Sequence, residues 1–477
     1  MGSGIYAELH AHSAFSLGDG ASTPEALAAR AAELGYGALA LTDHDDLGGA
    51  VRFHKACESA GISSIFGAEI TLADGSHATL LVENPAGWAN LCTLVTRGRM
   101  EHPRGTPGVT FDDLAAHAEG LIALTGCPRG RIPRLLAGER WAEARAEAGK
   151  WRDAFGHRLH LELWDHRTHA EASLCADLLD LAKEMEIPWA VTHDVHYATP
   201  EARAVHDALV CVTAQETLDE AHRRGLLRPS AEWCLQKPEE MARRWRADPA
   251  GVRRTLEIAE RCQEFRFGKV GPVHPAFPLP SQWKSADAYL ERLARVGLAE
   301  RLPEASDPHW RQLEHELRTI RTLGLADHFL VCWDICRFAR EQGILCQGRG
   351  SAANSIVCYA LRVTAVDPVA HSLLFERFLS LERPEPPDID IDFAALDARE
   401  RVLQYVYEKY GRGHAAMVCT HVEYRGRSAI RDAMRVLGFP AATADWLAKR
   451  IDGYSSAKTA AEWLELSVGK ALRAMGL

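Results

Sequence analysis

Up to about residue 200, short apolar runs alternate with helix-like segments. Between the first two runs, Thr23 suits a helix N-cap, Pro24 the first helical position and Gly35 the residue that ends the helix. Repeated strand–helix units predict a parallel sheet with helices outside, either a barrel or an open doubly wound sheet. The predicted strands lie at 5–9, 38–42, 62–66, 77–82, 121–125, 160–163 and 188–192.

Metal-ligand residue types fall at the ends of these predicted strands. In both architectures, side chains that do chemistry gather at the carboxyl ends of the strands. His77 fits this rule least well, because it opens its strand. The candidate ligands are His10, His12, Asp19, His44, Glu69, His77, Cys127, Asp194 and His196.

Two of these strand ends carry pairs suited to chelation. His10 and His12 form a His-x-His pair, and Asp194 and His196 form an Asp-x-His pair, so each pair shares one face of an extended segment. Mixtures of imidazole and carboxylate suit Zn²⁺, Mn²⁺ or Fe²⁺. The ligands are too many for one tetrahedral ion, which predicts a cluster of two or three metals. We expect the other histidines nearby to be surface or satisfied core residues, namely His166, His169, His193 and His206.

A second acidic pattern lies at 387–393, which reads Pro-Asp-Ile-Asp-Ile-Asp-Phe. In a strand, Asp388, Asp390 and Asp392 would share one face, and their repulsion favours bound cations such as Mg²⁺. Upstream, Gly348-Arg349-Gly350-Ser351 is a turn of the kind that cradles phosphates. This order predicts two-metal phosphoryl transfer. The alternative is an acidic surface strand after a flexible loop.

Composition bounds the class of protein. The chain has 477 residues, 47% hydrophobic and 25% charged, which is typical of a globular protein with more than one domain. It contains no membrane-length apolar run and no secretory signal pattern, and its 12 scattered cysteines favour free thiols in a reducing cytoplasm. The net charge of −10 argues against a self-sufficient DNA clamp, although arginines between 425 and 435 allow a local basic groove.

Both halves resemble known families. Residues 5–46, together with the later ligand candidates, resemble the PHP (polymerase and histidinol phosphatase) domain. Residues 347–355 (QGRGSAANS), 375–378 and 387–393 resemble the start of the palm of a bacterial C-family DNA polymerase, the DNA polymerase III alpha type. Within this family the segment resembles the error-prone branch more than the replicative branch. The replicative branch tends to carry Gly-Pro before Gly-Arg-Gly-Ser and Gly at the position of Asn354.

The resemblance implies a fold and a division into domains. It implies an α/β PHP-type (β/α)7-like barrel, followed by a partial nucleotidyltransferase-like (polymerase beta-like) α+β palm. We expect the barrel at 1–210, a helical extension and linker at 211–280, and the partial palm at 281–477.

The resemblance also implies residue roles. The nine candidates match the PHP ligand positions and imply two or three Zn²⁺ or Mn²⁺ ions. Asp388 and Asp390 match the palm Mg²⁺ ligands, and Arg349, Gly350 and Ser351 match the segment that faces the nucleoside triphosphate. Asp392 matches a carboxylate that is not the third catalytic acid. The implied partners are a DNA primer–template, deoxynucleoside triphosphates and mutagenesis or repair proteins in the cytoplasm, with no membrane.

The sequence departs from the family in one respect. No stretch resembles the later Lys-Phe-Asp-Phe-Leu-Gly strand that carries the third catalytic aspartate, so we expect an N-terminal piece of an error-prone DNA polymerase, either a fragment or a truncated protein. Two alternatives stay open. One is a free-standing PHP phosphoesterase or 3′–5′ exonuclease, and the other is a non-catalytic module of a mutagenesis complex.

Overall fold

The computed structural model describes residues 4–267, 275–382, 387–395 and 397–450. Residues 268–274 of the predicted linker and 451–477 of the predicted palm lie outside the described residues. Among the helices described, none is long and apolar enough to cross a membrane.

The described elements comprise eight strands and eighteen α-helices. The strands are β1 Ala38–Leu41, β2 Ser63–Thr71, β3 His77–Val82, β4 Leu121–Leu124, β5 Leu159–Leu163, β6 Trp189–Val191, β7 Cys346–Arg349 and β8 Asp390–Phe393. The first eleven helices are α1 Pro24–Glu33, α2 Ala50–Ala60, α3 Pro85–Met100, α4 Phe111–Ala116, α5 Arg131–Ala137, α6 Trp141–Phe155, α7 His169–Glu184, α8 Arg203–Ala214, α9 Leu218–Arg223, α10 Pro238–Arg244 and α11 Pro249–Arg261. The others are α12 Ala286–Arg301, α13 Asp307–Leu323, α14 Ala326–Glu341, α15 Ile356–Ala360, α16 Asp397–Tyr410, α17 Gly426–Val436 and α18 Ala441–Ala448.

The chain divides into two compact units. The first contains the described residues up to 267 together with 423–450, and the second contains 275–422. Residues 211–267 and 423–450 therefore belong to the unit of the barrel, whereas the sequence predicted divisions at 210 and 280. Packing accounts for the difference, because Cys211 of α8, Ala221 of α9 and Val436 of α17 share one buried cluster.

The first unit contains a curled six-stranded sheet in the order β1 to β6. The amino-terminal segment closes it without forming a regular strand. Its Glu8 bridges Leu39 of β1, and its Ala11 bridges Val195 just past β6. The predicted first strand is thus an extended segment between the two sheet edges, and the predicted α/β barrel fold is confirmed.

One strand runs against the predicted parallel direction. β3 pairs antiparallel with both β2 and β4, whereas β1–β2, β4–β5 and β5–β6 are parallel. The reason is the short turn between β2 and β3, which includes Gly75 at φ +73° and is too short for a helical crossover. The reversal brings His77, the first residue of β3, to the edge where the parallel strands end.

The second unit has its own apolar core and a two-stranded sheet. The core draws on α12, α13, α14 and α15, and β7 pairs antiparallel with β8. In β7, Gly348 packs so closely that a Cβ there would lie 2.7 Å from the backbone oxygen of Val363. The close approach accounts for glycine at this position.

Candidate functional site

The carboxyl edge of the barrel sheet brings together the ligand candidates predicted from the sequence. His10 and His12 come from the closing segment, and His44 follows β1. Glu69 lies inside β2, which continues through Gly67 to Thr71, so the prediction that the strand ends at residue 66 was wrong. A Cβ at Gly67 would lie 2.3 Å from the oxygen of Leu80, so this glycine permits close strand pairing.

Glu69 lies at the centre of the cluster. Its Oε2 is 2.7 Å from His44 Nδ1 and 3.1 Å from His77 Nδ1. Its Oε1 is 3.7 Å from His10 Nε2, and its Oε2 is 3.7 Å from His12 Nε2. Glu69 would therefore hold a bound metal together with these histidines.

Asp194 lies beside the same histidines. Its Oδ1 is 3.6 Å from His10 Nε2, 3.5 Å from His12 Nε2 and 3.2 Å from His196 Nε2. The φ of Asp194 is +42°, in the left-handed region that L residues rarely adopt. Backbone hydrogen bonds of the next residue hold this conformation, since Val195 N donates to His10 O at 2.9 Å and Val195 O accepts from His12 N at 2.7 Å.

Asp19 adds a third carboxylate from the loop after the closing segment. Its Oδ2 is 3.0 Å from His44 Nε2, and its Oδ1 is 3.0 Å from His196 Nδ1. The His12 ring stacks between the His44 and His196 rings, with centroid distances of 4.4 and 4.7 Å. These contacts extend the cluster beyond the reach of a single ion.

Cys127 is the most weakly attached of the nine candidates. Its Sγ lies 4.0 Å from His77 Nδ1. Burial, and then the charges of Glu69 and Asp194, raise the pKa of the thiol above its ordinary value. A neutral thiol is a poor ligand, so Cys127 would join the cluster only if a cation favoured its thiolate.

The residues present fit a group of metal ions. Both oxygens of Glu69 are buried without a hydrogen-bond partner, although imidazole nitrogens lie as close as 2.7 Å. The short contacts thus lack hydrogen-bond geometry, as expected for atoms that face a common ligand. Bonds of about 2.1 Å to one ion place neighbouring ligand atoms about 3 to 3.4 Å apart. Among the described residues, there are four groups of three side chains whose ligand atoms all lie within 4.8 Å of one another inside each group: His10–His12–Glu69, His12–Asp194–His196, Asp19–His196–His206 and His44–Glu69–His77.

The charge states suit the same chemistry. Burial, supported by the charge of His44, lowers the pKa of His12 to about 3, which leaves a neutral ring with a lone pair to donate. Burial opposes ionisation of Glu69, but the charges of His44 and His77 hold its pKa well below the ordinary value. The site therefore offers a neutral imidazole at His12 and an ionised carboxylate at Glu69. Burial opposes protonation of His10 and His44, but the charge of Glu162 raises the pKa of His10 to about 10, and the charge of Glu69 raises the pKa of His44 above its ordinary value, so metal binding by these two rings would release a proton.

A buried carboxylate that the sequence analysis missed orients His10. Glu162 Oε1 is 2.7 Å from His10 Nδ1 and accepts a hydrogen bond from Thr192 Oγ1 at 2.7 Å. The contact directs the Nδ1–H of His10 to Glu162 and leaves Nε2 facing the cluster. A signal was available, because Glu162 is a charged residue between two apolar residues of β5.

His206 and Arg228 also border the cluster. His206 Nδ1 donates to the backbone oxygen of Asp19 at 2.8 Å, and its Nε2 accepts from Arg228 Nε at 3.1 Å. Both ring nitrogens are engaged, so we interpret His206 as a residue that positions the Asp19 loop, although it lies within ligand distance. No motif in the sequence pointed to Arg228.

The palm residues meet on the antiparallel pair of β7 and β8. Arg349 pairs with Asp390 in register, and its Nη1 is 3.3 Å from Asp390 Oδ2. Its Nε donates to Asp392 Oδ1 at 3.1 Å. β8 begins at Asp390, so the predicted strand over 387–393 was too long. β7 ends at Arg349 and offers no partner to Asp388.

The isoleucines that alternate with the aspartates in the 387–393 pattern face the core. Ile389 and Ile391 pack against the apolar core of the second unit, and the alternating Asp390 and Asp392 side chains are 46% and 64% exposed. Among the described residues, no third histidine, cysteine or carboxylate joins Asp388 and Asp390 in a ligand group. The pair alone leaves part of an ion's coordination shell open.

The turn that follows β7 is anchored by a buried carboxylate. Gly350, at φ +67°, opens a short 3₁₀ turn, Gly350–Asn354, that contains Ser351. Just after the turn, Glu316 of α13 accepts hydrogen bonds from Ser355 Oγ at 2.7 Å, Ile356 N at 3.0 Å and Val357 N at 3.1 Å. Glu316 therefore fixes the turn that carries the predicted phosphate-facing residues.

Comparisons with known families match both halves of the chain. The PHP domain family matches residues 8–166. The family described as the bacterial DNA polymerase III alpha NTPase domain matches residues 288–471. The resemblances stated from the sequence are confirmed at the level of these families.

Curated relatives match nearly the whole chain. An error-prone DNA polymerase from Symbiobacterium thermophilum is 45% identical over 468 residues, covering 95% of this chain and 43% of the relative. One from Mycobacterium bovis is 42% identical over 471 residues, with the same shares of the two chains. The chain thus spans about two fifths of the length of these curated relatives.

Solved structures give a weaker match. An amidohydrolase from Chromobacterium violaceum with bound sulfate and no metal is 19% identical, with a TM-score of 0.30 over 40% of this chain and 88% of that one. Similarity at this level supports no functional argument.

Proposed function

Because this chain belongs to the bacterial C-family DNA polymerases and carries a PHP domain before a DNA polymerase III alpha NTPase domain, we propose that it supplies the PHP domain and the first part of the palm of an error-prone DNA polymerase. The reaction is template-dependent nucleotidyl transfer. The substrates are a DNA primer–template and deoxynucleoside triphosphates, and Mg²⁺ is the palm metal.

The observation that carries this proposal is the antiparallel pairing of β7 with β8. It places the Arg349 guanidinium against Asp390 and Asp392, beside the Gly350–Ser351 turn. In the proposed site, Asp388 and Asp390 would hold the metal ions, and such ions would supply positive charge at the primer hydroxyl and at the leaving pyrophosphate. Arg349 and the turn bind and orient the triphosphate.

Primer extension by the full-length polymerase that carries these residues tests the proposal. Asp388→Asn combined with Asp390→Asn should lower extension about a thousandfold, because loss of metal ligands removes about 4 kcal/mol of transition-state stabilisation. Asp392→Asn is the matched control, since it removes a neighbouring exposed carboxylate of the same strand and should leave extension within about fivefold. Normal extension by the double variant would refute the assignment.

A second candidate function belongs to the PHP cluster. Four histidines (His10, His12, His44 and His77) surround Glu69, whose buried oxygens have no hydrogen-bond partner, and this arrangement favours a phosphoesterase or 3′–5′ exonuclease site that uses two or three Zn²⁺ or Mn²⁺ ions. Such ions would supply a hydroxide nucleophile and charge for the phosphate oxygens. The chain's own contribution is to orient His10 through Glu162 and to exclude water from Glu69.

Hydrolysis of single-stranded DNA with a labelled 3′ end tests the second candidate. The metal-loaded chain should release labelled nucleotide, His10→Ala with His12→Ala should release none, and Asp388→Asn with Asp390→Asn should match the unaltered chain. Full metal occupancy with no hydrolysis would instead support a structural cluster or the non-catalytic module.

Two further assignments accompany the proposal. The 12 cysteines are all unpaired, which supports a reducing, cytoplasmic location. Mutagenesis or repair proteins are the proposed protein partners, on the strength of the error-prone relatives alone.

A further inference from the structure

Arg228 brings a fixed positive charge to the edge of the PHP cluster. Its Nη2 is 2.6 Å from His196 Nε2 and 3.9 Å from Asp19 Oδ1. The side chain is 22% exposed, whereas His10 and His12 are completely buried. The guanidinium therefore lies between the buried ligands and solvent, where a bound substrate can reach it.

The surrounding residues hold this guanidinium in place. Its Nε donates to His206 Nε2 at 3.1 Å, and its central carbon lies 4.7 Å from the centre of the Trp233 ring. Trp233 also contacts a residue of the cluster, because its backbone oxygen accepts a hydrogen bond from His196 N at 2.9 Å. An arginine that is already ordered loses little side-chain entropy when it binds an anion.

The hydrogen bonds of Arg228 leave donors unused. One N–H on Nε and one on Nη2 contact imidazole nitrogens, and in the described part of the chain no carboxylate accepts a hydrogen bond from this side chain. The remaining N–H groups on Nη1 and Nη2 form the planar fork that binds two oxygens of a phosphate. Its charge is thus available to an anionic group at the cluster.

We infer that Arg228 binds a non-bridging phosphate oxygen of a phosphate ester held at the PHP cluster. Trp233 and His206 position it for this contact. The inference rests on the second candidate function, the phosphoesterase site, and extends it by naming a substrate-contacting residue outside the nine metal ligands.

Binding of inorganic phosphate to the full chain tests the inference without requiring turnover. The chain is loaded with Mn²⁺ or Zn²⁺, freed of excess metal, and titrated with phosphate by calorimetry at constant ionic strength. Arg228→Gln should weaken phosphate binding about 10- to 100-fold, because it removes charge-assisted hydrogen bonds. Arg228→Lys should restore the charge but only part of the affinity, since an ammonium lacks the fork.

The matched control is Arg224→Gln. Arg224 lies four residues earlier and is 60% exposed, with its ion pair to Glu216, so phosphate affinity should not change. Metal content, measured by mass spectrometry, should be full in all three variants.

The outcomes separate this inference from the function on which it rests. Phosphate binding that depends on Arg228, in a chain that hydrolyses no ester, would support the inference and contradict the phosphoesterase function. Hydrolysis with unchanged phosphate affinity in Arg228→Gln would support the function and overturn the inference. Absence of phosphate binding by the metal-loaded unaltered chain would also overturn it.

Discussion

Replacement of Glu316 by glutamine should change how the stability of the second unit depends on pH. Burial raises the pKa of Glu316 to about 7 from 4.5, against hydrogen bonds that would lower it. The folded state therefore holds a proton that the unfolded chain releases above about pH 4.5. The stabilisation is complete below that pH and is lost as pH rises through about 7.

The size of the effect follows from the same shift. A difference of about 2.5 pKa units corresponds to a contribution of about 3 kcal/mol to the free energy of unfolding. Between pH 5 and 7 this contribution falls by about 1.4 kcal/mol per pH unit. Glutamine cannot ionise, so Glu316→Gln should remove this pH dependence. Its oxygen can still accept from Ile356 N, but its amide nitrogen would face the Val357 N–H that Oε2 now accepts, so the variant should be less stable than the unaltered protein near pH 4.5. Relative to the unaltered protein, its stability should rise by about 3 kcal/mol between pH 4.5 and pH 8.

Urea-dependent hydrogen exchange of peptides from 313–323 and 355–361 measures this difference within the second unit. Comparison of the two proteins at each pH cancels the titration of other groups. A stability difference between the two proteins that stays constant from pH 5 to 8 would refute the reasoning. It would mean that the donors of Ser355, Ile356 and Val357 offset the cost of burying the charge, so that the pKa is not raised.

The remaining predictions concern the metal centre and one close contact. His10→Ala with His12→Ala should remove most bound transition metal, measured by mass spectrometry, and lower the thermal stability of the first unit; unchanged metal content would contradict the cluster. Glu162→Gln should weaken metal affinity about 10- to 100-fold in a chelator titration, because the amide no longer attracts the His10 Nδ1–H as strongly; equal affinity would show that Glu162 does not orient the ring. Gly348→Ala should destabilise the second unit by about 1–3 kcal/mol in urea unfolding, since its Cβ would lie 2.7 Å from a backbone oxygen. The control Gly413→Ala meets nothing within 4 Å and should cost less than half as much.

The sequence predicted the type of the barrel because strand and helix periods alternate clearly in its first half. It did not predict the direction of β3, since a strand's direction depends on the turn before it. His77 was nevertheless an informative exception. It opens its strand, and only an antiparallel β3 brings that end to the edge where His44 and Asp194 lie.

Residue type and spacing identified the candidate ligands, but not the residues that support them. Glu162, His206 and Arg228 reach the cluster from β5, α8 and the segment after α9, so their contacts depend on tertiary packing. The strand boundary in β2 was missed for a related reason. The predicted strand stopped at residue 66, just before Gly67, whereas in the structure Gly67 lies within β2 and permits the close approach of β3.

Diffraction at the zinc and manganese absorption edges, from crystals of the metal-loaded chain, tests the metal cluster most directly. We expect two or three anomalous peaks at the carboxyl edge of the barrel sheet. Two of them should lie on opposite sides of Glu69, with metal–ligand distances of about 2.0–2.2 Å. Glu69, His10 and His44 should be among the ligands. Saturating metal with no anomalous peak among these side chains would contradict the cluster.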